Sequence, residues 1–318
     1  MAENRTFADL YRYKQKVIKG HLFPSFTDFK AIEEMDKLEI RSDDILISSY
    51  PRSGTHWAVE LVDIIRRDGD IESGSHIHIH DKFRWLEIPR EYLKGGVSLA
   101  DFEGVGSPIT DAAAMPSPRL LVTHMGYDLL PEEAKQGRCK TIVVFRNPKS
   151  ALVSHMHLLN SFSAAYKSLF NMDIMLNGEL TETNDKTAWG TWFNFVKGWC
   201  SNKDRLRKYV LFIRYEEMVK DMAKVVRDVA TFLDKSLTEE KVQTIVDHLS
   251  FGNMKKNPST GDAFQHMKKS VGSDGDTPHM RKGKIDDWKK YMTVKQSERL
   301  DAYFGNTLEN MGLHFQYE

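Results

Sequence analysis

Short apolar runs rich in β-branched residues alternate along the chain with longer stretches whose apolar positions recur at helical spacing. The runs Ile45 to Ser49, Arg119 to Thr123, Thr141 to Phe145 and Tyr209 to Ile213 each end in a polar segment, the signature of buried strands. Helical spacing predicts helices over Thr55 to Arg67, Pro148 to Leu159, Trp189 to Cys200, Met222 to Leu233 and Glu239 to His248, with Ser236 and Glu239 as a capping box for the last. This alternation predicts an α/β fold: a single domain over residues 1–318 with a central, mainly parallel sheet flanked by helices. Sites in such folds form in the loops that follow the strands. No repeat or low-complexity tract interrupts the pattern, and Ser270 to Thr277 reads as a mobile loop within the domain.

Composition narrows the classes of function. With 41% hydrophobic and 28% charged residues, 318 residues bury a full core. Lys plus Arg equals Asp plus Glu at 45 each, so no global field recruits nucleic acid or an anionic membrane, and any anion site is local. The N-terminal MAENRTFADLYRYKQ lacks the apolar core of a signal peptide, and no apolar run approaches a membrane span, which predicts a cytoplasmic protein. Two cysteines, Cys139 and Cys200, make neither a disulfide framework nor a Cys-rich zinc site.

The richest segment is DILISSYPRSGTHW, a buried strand that runs through Tyr50-Pro51-Arg52-Ser53-Gly54-Thr55-His56-Trp57 into an amphipathic helix. Strand, glycine loop and helix make a P-loop-like anion site: Gly54 admits close backbone approach, the helix start presents unpaired N–H groups, Ser53 and Thr55 add hydroxyls, and Arg52 adds a permanent charge. The kinase P-loop GxxxxGK[ST] fits poorly, because no Lys follows Gly54.

YPRSGTHW resembles the 5′-phosphosulfate loop of the cytosolic sulfotransferases, usually YPKSGTTW. Further segments match that family in order: RNPKSALVS (Arg146 to Ser154), HLSFGNMKKNP (His248 to Pro258) and MRKGKIDDWK (Met280 to Lys289), so the resemblance runs from Val17-Ile18-Lys19-Gly20 to the C-terminus. It implies an enzyme that moves a sulfuryl group from 3′-phosphoadenosine-5′-phosphosulfate (PAPS) to a hydroxyl or amine of a small molecule, leaving 3′-phosphoadenosine-5′-phosphate (PAP), with no metal required. By resemblance, Arg52 to Trp57 hold the 5′-phosphosulfate, with Trp57 near the adenine. Arg146, Ser154, Arg281, Lys282 and Gly283 hold the 3′-phosphate, and Tyr215, Ser250, Phe251 and Met280 complete the cofactor site.

His124, after the strand RLLVT, matches the catalytic histidine of the family's KTHLP-like segment; it would take the acceptor's proton while Arg52 stabilises charge on the bridging oxygen. Phe23, Phe26 and Trp85 match aromatic walls of the acceptor pocket. Departures are visible. Arg52 and Val122 stand where Lys is frequent, Leu249 where Thr is, Asp286 where Gly is, and His155 and Met156 where bulky aromatics are, which points to a wider or more polar pocket. These departures leave open a nucleotide-binding protein of the same fold with little turnover; a small-molecule kinase is the other alternative. His76, His78 and His80 would share one face of a strand, yet no second ligand cluster makes them a metal site. Lys289, Thr293, Val294 and Glu298 have the spacing of the family's short dimerisation motif, against an ordinary helix start capped by Thr293; the resemblance implies a homodimer.

Overall fold

The computed structural model describes residues 6–10, 14–93, 106–161, 169–261 and 280–318. Its strands are β1 (Gln15–Ile18), β2 (His21–Pro24), β3 (Ile45–Ser49), β4 (Arg84–Trp85), β5 (Leu120–Thr123), β6 (Lys140–Phe145), β7 (Asn184–Ala188) and β8 (Val210–Arg214). Five of them form the central sheet in the order β4-β5-β3-β6-β8, every neighbouring pair parallel. Leu46 and Ile47 of β3, Leu121 and Val122 of β5 and Val143 and Val144 of β6 are fully buried, as expected where helices cover both faces. From β3 the chain reaches the edge strand β4, returns to β5 and then crosses to β6 on the far side of β3. The order reverses at β3, so the crevice lies at the carboxyl ends of β5, β3 and β6.

The helix Thr55–Arg66 packs on β3 and against Met222–Phe232, and buried residues of both sheets and the helices share one apolar cluster. The small second sheet, β1-β2-β7, pairs β1 with β2 antiparallel and β2 with β7 parallel. The strand runs alone did not point to it, because β7 is the polar segment NDKTA. Among the described residues no helix is long and apolar enough to cross a membrane.

The α/β architecture is as expected, with corrections at element ends. The helix predicted from Trp189 begins at Trp192: Trp189 and Gly190 have φ of 64° and 82°, and Thr191 caps instead by accepting from the Asn194 N–H at 3.1 Å. The helix Glu239–His248 is capped by Thr238, which accepts from the Lys241 N–H, rather than by Ser236. His76, His78 and His80 do not line a strand; Ile79–Asp81 is a 3₁₀ turn with His78 at its start. The Ser270 to Thr277 segment lies outside the described residues.

Candidate active site

β3 delivers the chain into Tyr50 to Gly54, and the backbone turns there through left-handed conformations at Arg52 (φ 68°) and Gly54 (φ 102°). A Cβ on Gly54 would stand 2.9 Å from Cδ2 of Tyr215, so glycine meets both the dihedral and the close approach. No side chain caps the helix Thr55–Arg66, because Gly54 occupies the N-cap. Its leading N–H groups therefore carry the partial positive charge of the helix start into the cleft. The Thr55 hydroxyl bonds Ser49 Oγ at 2.7 Å, and Ser53 Oγ is buried with no hydrogen-bond partner among the described residues.

Three guanidinium groups converge on this loop. Arg52 donates through Nε to Ser154 Oγ at 3.0 Å. Arg146, at the end of β6, donates through Nη1 to the Arg52 carbonyl at 2.9 Å and lies 4.1 Å above the Tyr215 ring. Burial draws the pKa of Arg52 down to about 9, and the charges of Arg146 and Arg281 push it the same way. Like charges gathered in a low-dielectric crevice are costly unless an anion joins them, which makes this the most telling electrostatic feature of the molecule. Arg146 Nε is also buried without a partner among the described residues.

Across the crevice Arg281 and Lys282 reach Asp287 at 2.5 Å and 3.1 Å. Gly283 (φ 66°) lies so close to Phe251 that a Cβ would meet Cδ2 at 2.4 Å. Trp57 donates its indole N–H to the Leu249 carbonyl at 2.9 Å and meets Tyr215 edge-on, forming an aromatic wall with Phe251. Met280 lines the same cleft.

His124 sits just past β5. Its backbone N–H donates to Glu87 Oε1 at 2.7 Å, and its Nδ1 lies 2.6 Å from the Ser49 carbonyl. A carbonyl only accepts, so Nδ1 carries the proton and the lone pair is left on Nε2. Burial draws this imidazole down to about 4 against one raising influence, the Ser49 bond, so it is neutral at physiological pH. Trp85 and Trp189 flank the ring at 4.6 Å and 5.5 Å between centroids.

One cleft thus brings together Arg52, Gly54, Thr55, His56, Trp57, His124, Arg146, Ser154, Tyr215, Phe251, Met280, Arg281, Lys282 and Gly283. Two expected residues stand apart from its lining. The Ser53 hydroxyl is buried beneath the loop, and Ser250 caps the helix Phe251–Lys256. Of the expected acceptor walls Phe26 and Trp85 line the cleft, whereas Phe23 is wholly buried behind it. Val122 is enclosed in the sheet. His56 pairs with His80 between Nε2 atoms at 3.0 Å, so the HIHIH segment supports the phosphate loop. Among the described residues no group of His, Cys, Asp and Glu side chains is arranged to hold a metal ion.

Glu87 escaped the sequence reading. Burial lifts its carboxyl to about 7 against the lowering effect of the bonds from His124 and Thr123. Its signal was an acidic residue inside the apolar run WLEIP. The dimer-motif residues lie on the outer surface. Val294 is 74% exposed, Thr293 and Gln296 form a capping box, Lys289 pairs with Glu318, and Glu298 is exposed.

Fold and cleft together define an α/β protein with a cation-lined crevice at the carboxyl edge of its sheet, next to a buried, neutral histidine. The sulfotransferase domain model matches residues 42–312. Sulfotransferase 1C2 of Oryctolagus cuniculus is 36% identical over 285 residues, 90% of each chain, and the amine sulfotransferase of the same species is 32% identical over 299 residues, 92% of this chain and 90% of that one. Among solved structures, mouse sulfotransferase SULT7A1 complexed with PAP superposes with a TM-score of 0.70 at 26% identity, covering 94% of this chain and 95% of that one. Retinol dehydratase, in complex with androsterone and PAP, shares the fold at a TM-score of 0.81 and 20% identity, covering 99% and 95%. The chain belongs to the sulfotransferase family, and its activity is sulfuryl transfer.

Proposed function

We propose that the donor is PAPS and that the acceptor is a hydroxyl or amine of a small, largely apolar molecule. The convergence of Arg52, Arg146 and Arg281 on one cleft carries this reading, and it is supported by relatives whose solved structures contain PAP. The residues fit such a ligand: Gly54 and Gly283 leave room where a Cβ would clash, and Arg146, which lines the cleft, has an Nε that still needs a partner among the described residues. Arg52, Ser53, Gly54, Thr55, His56 and Trp57 hold the 5′-phosphosulfate. Arg146, Ser154, Arg281, Lys282 and Gly283 hold the 3′-phosphate, and Tyr215, Phe251 and Met280 border the nucleoside, with Ser250 capping the helix that carries Phe251.

When bound, the donor supplies an activated sulfuryl group: a bond forms from the acceptor atom to sulfur as the bond from sulfur to the 5′-phosphate oxygen breaks, and PAP leaves. Nε2 of His124 takes the acceptor proton as that bond forms. Arg52 and the N–H groups of the helix Thr55–Arg66 stabilise the charge that grows on the departing oxygen. The same reading keeps the protein in the cytoplasm, where the buried thiols of Cys139 and Cys200 stay reduced, and pairs two copies through Lys289, Thr293, Val294 and Glu298.

The test is ligand-dependent melting. PAP at a hundred times its Kd stabilises the folded state by about 2.7 kcal/mol. A nucleotide lacking the 3′-phosphate stabilises much less at equal concentration, and equal shifts would show that the second anion pocket is misassigned.

A further inference from the structure

His155 follows Ser154 on the helix Pro148–Ser161 and lines the cleft, yet the mechanism above leaves it without a task. The residue is 1% exposed, and its Nδ1 has no hydrogen-bond partner among the described residues. Its ring neighbour Tyr50 stands edge-on at 6.5 Å, and the Tyr50 hydroxyl is committed to Glu179 at 2.5 Å. Burial, reinforced by the charges of Arg52 and His124, draws His155 down to about 3, so the imidazole is neutral and offers one N–H and one lone pair. Phe26, Ile88 and Leu159, which line the same cleft, have no polar side-chain atom to offer it. Two more orphan donors share that condition: the indole N–H groups of Trp85 and Trp189, both within the wall around His124, are buried without partners among the described residues.

Buried polar atoms in native proteins are nearly always paired, and those of a ligand site find their partner on the ligand. An acceptor with a single oxygen gives that oxygen to His124 and leaves the rest of this wall unanswered. We propose that His155 is a specificity-determining residue, holding a second oxygen of a compact ring-bearing acceptor so that diols are favoured over monohydroxylated molecules of the same shape. The inference rests on the sulfuryl-transfer reading and adds the acceptor class to it.

Labelled PAPS and matched pairs test it: ortho, meta and para dihydroxybenzenes against the methylphenols, and dihydroxynaphthalenes against the methylnaphthols. The wild type favours the diol in at least one pair by about tenfold or more in kcat/KM, the cost of leaving a built polar site unanswered. In His155→Phe that ratio falls to within about twofold, whereas H155Q, which retains a donor and an acceptor, keeps part of it. PAP affinity, unchanged in both variants, reports that the fold and the donor half are intact. A wild-type ratio near one in every pair, a ratio that survives in H155F, or an equal fall for both members of a pair overturns the assignment; the last would place the ring on the transferring group. Binding of PAP without transfer to any acceptor would sink the transfer reading, and this inference with it.

Discussion

The two halves of the cleft are built in different ways. The donor half comes from contiguous segments, Tyr50 to Trp57, Arg146 to Ser154 and Met280 to Gly283, placed by strand ends or by glycines at positive φ. The acceptor half is gathered from scattered places: Phe26 after β2, Trp85 on β4, Trp189 after β7 and His155 on a helix. A phosphate demands cations and N–H groups at fixed positions, which short stretches of backbone can specify. An apolar wall needs shape and volume, which many side chains can supply. Departures from the family pattern fall on both sides: His155 and Met156 change the acceptor wall, whereas near the donor side Arg52 keeps the charge of a frequent Lys, Val122 removes one, and Leu249 and Asp286 replace Thr and Gly.

The strongest test of this division acts where the halves meet. His124→Ala removes the base and leaves every donor-side cation in place, so turnover falls by about two orders of magnitude or more while PAP affinity holds. Near-normal turnover on a good acceptor would remove His124 from the chemistry; loss of PAP binding would erase the division itself. Next in size, Arg146→Ala removes the guanidinium proposed for the 3′-phosphate. It weakens PAP by about tenfold or more in calorimetry, and a nucleotide without the 3′-phosphate by much less. An equal loss for both nucleotides would mean that Arg146 acts through its bond to the Arg52 carbonyl.

The same division explains what could be read from the sequence. β3, its loop and its helix were legible to within a residue, because strand run, Gly54 and amphipathic period are all local. The donor residues on separate segments came from resemblance, and the fold brings most of them to one edge because β3, β5, β6 and β8 all end there. Glu87 was not legible, since its importance lies in a bond to the His124 backbone across 37 positions of sequence. Trp189 misled: its aromatic spacing continues the helix that follows, while its left-handed φ, in a turn closed by the Gly190 N–H on the Thr187 carbonyl and tied to the Leu22 carbonyl, turns it toward His124 instead.

A smaller effect probes the acceptor wall through pH. His155 has a folded pKa near 3, below the ordinary value of 6.5. The unfolded chain therefore takes a proton that the folded one refuses, and this contribution to stability is complete above about pH 6.5 and lost as pH falls toward the folded pKa. Glu87 and Glu179, both raised to about 7, run the other way: theirs is present below the ordinary carboxyl value and lost as pH rises toward 7. A difference between variants isolates the histidine. From pH 6.5 to 4.5, urea unfolding should show His155→Phe gaining on the wild type by up to roughly 1.4 kcal/mol per pH unit. A constant difference would show that the ring ionises as easily in the fold as in water.

The smallest effect on the cleft is expected from the far surface, where assembly rather than chemistry is at stake. Val294 is 74% exposed at the first position of the helix Val294–Phe304, and the capping box of Thr293 and Gln296 fixes that helix start in a single chain. The helix thus needs no partner to form, and one exposed valine at its tip does not by itself mark an interface, so the proposed pairing rests on the motif spacing. In the proposed two-fold pairing each Val294 would meet its own symmetry mate, and Lys289, which pairs with Glu318 within one chain, would face the partner's Glu298. Such a patch would fall well below the ~1,600 Å² of a standard stable interface, so the proposed dimer should dissociate on dilution. Val294→Glu sets two like charges against each other on the axis and yields monomers whose PAP affinity stays within about twofold of the wild type. Light scattering over a concentration series decides the matter. A wild type already monomeric at tens of micromolar, or a dimer indifferent to Val294→Glu, removes this segment from the interface; monomers with weakened PAP binding would tie the outer surface to the donor half.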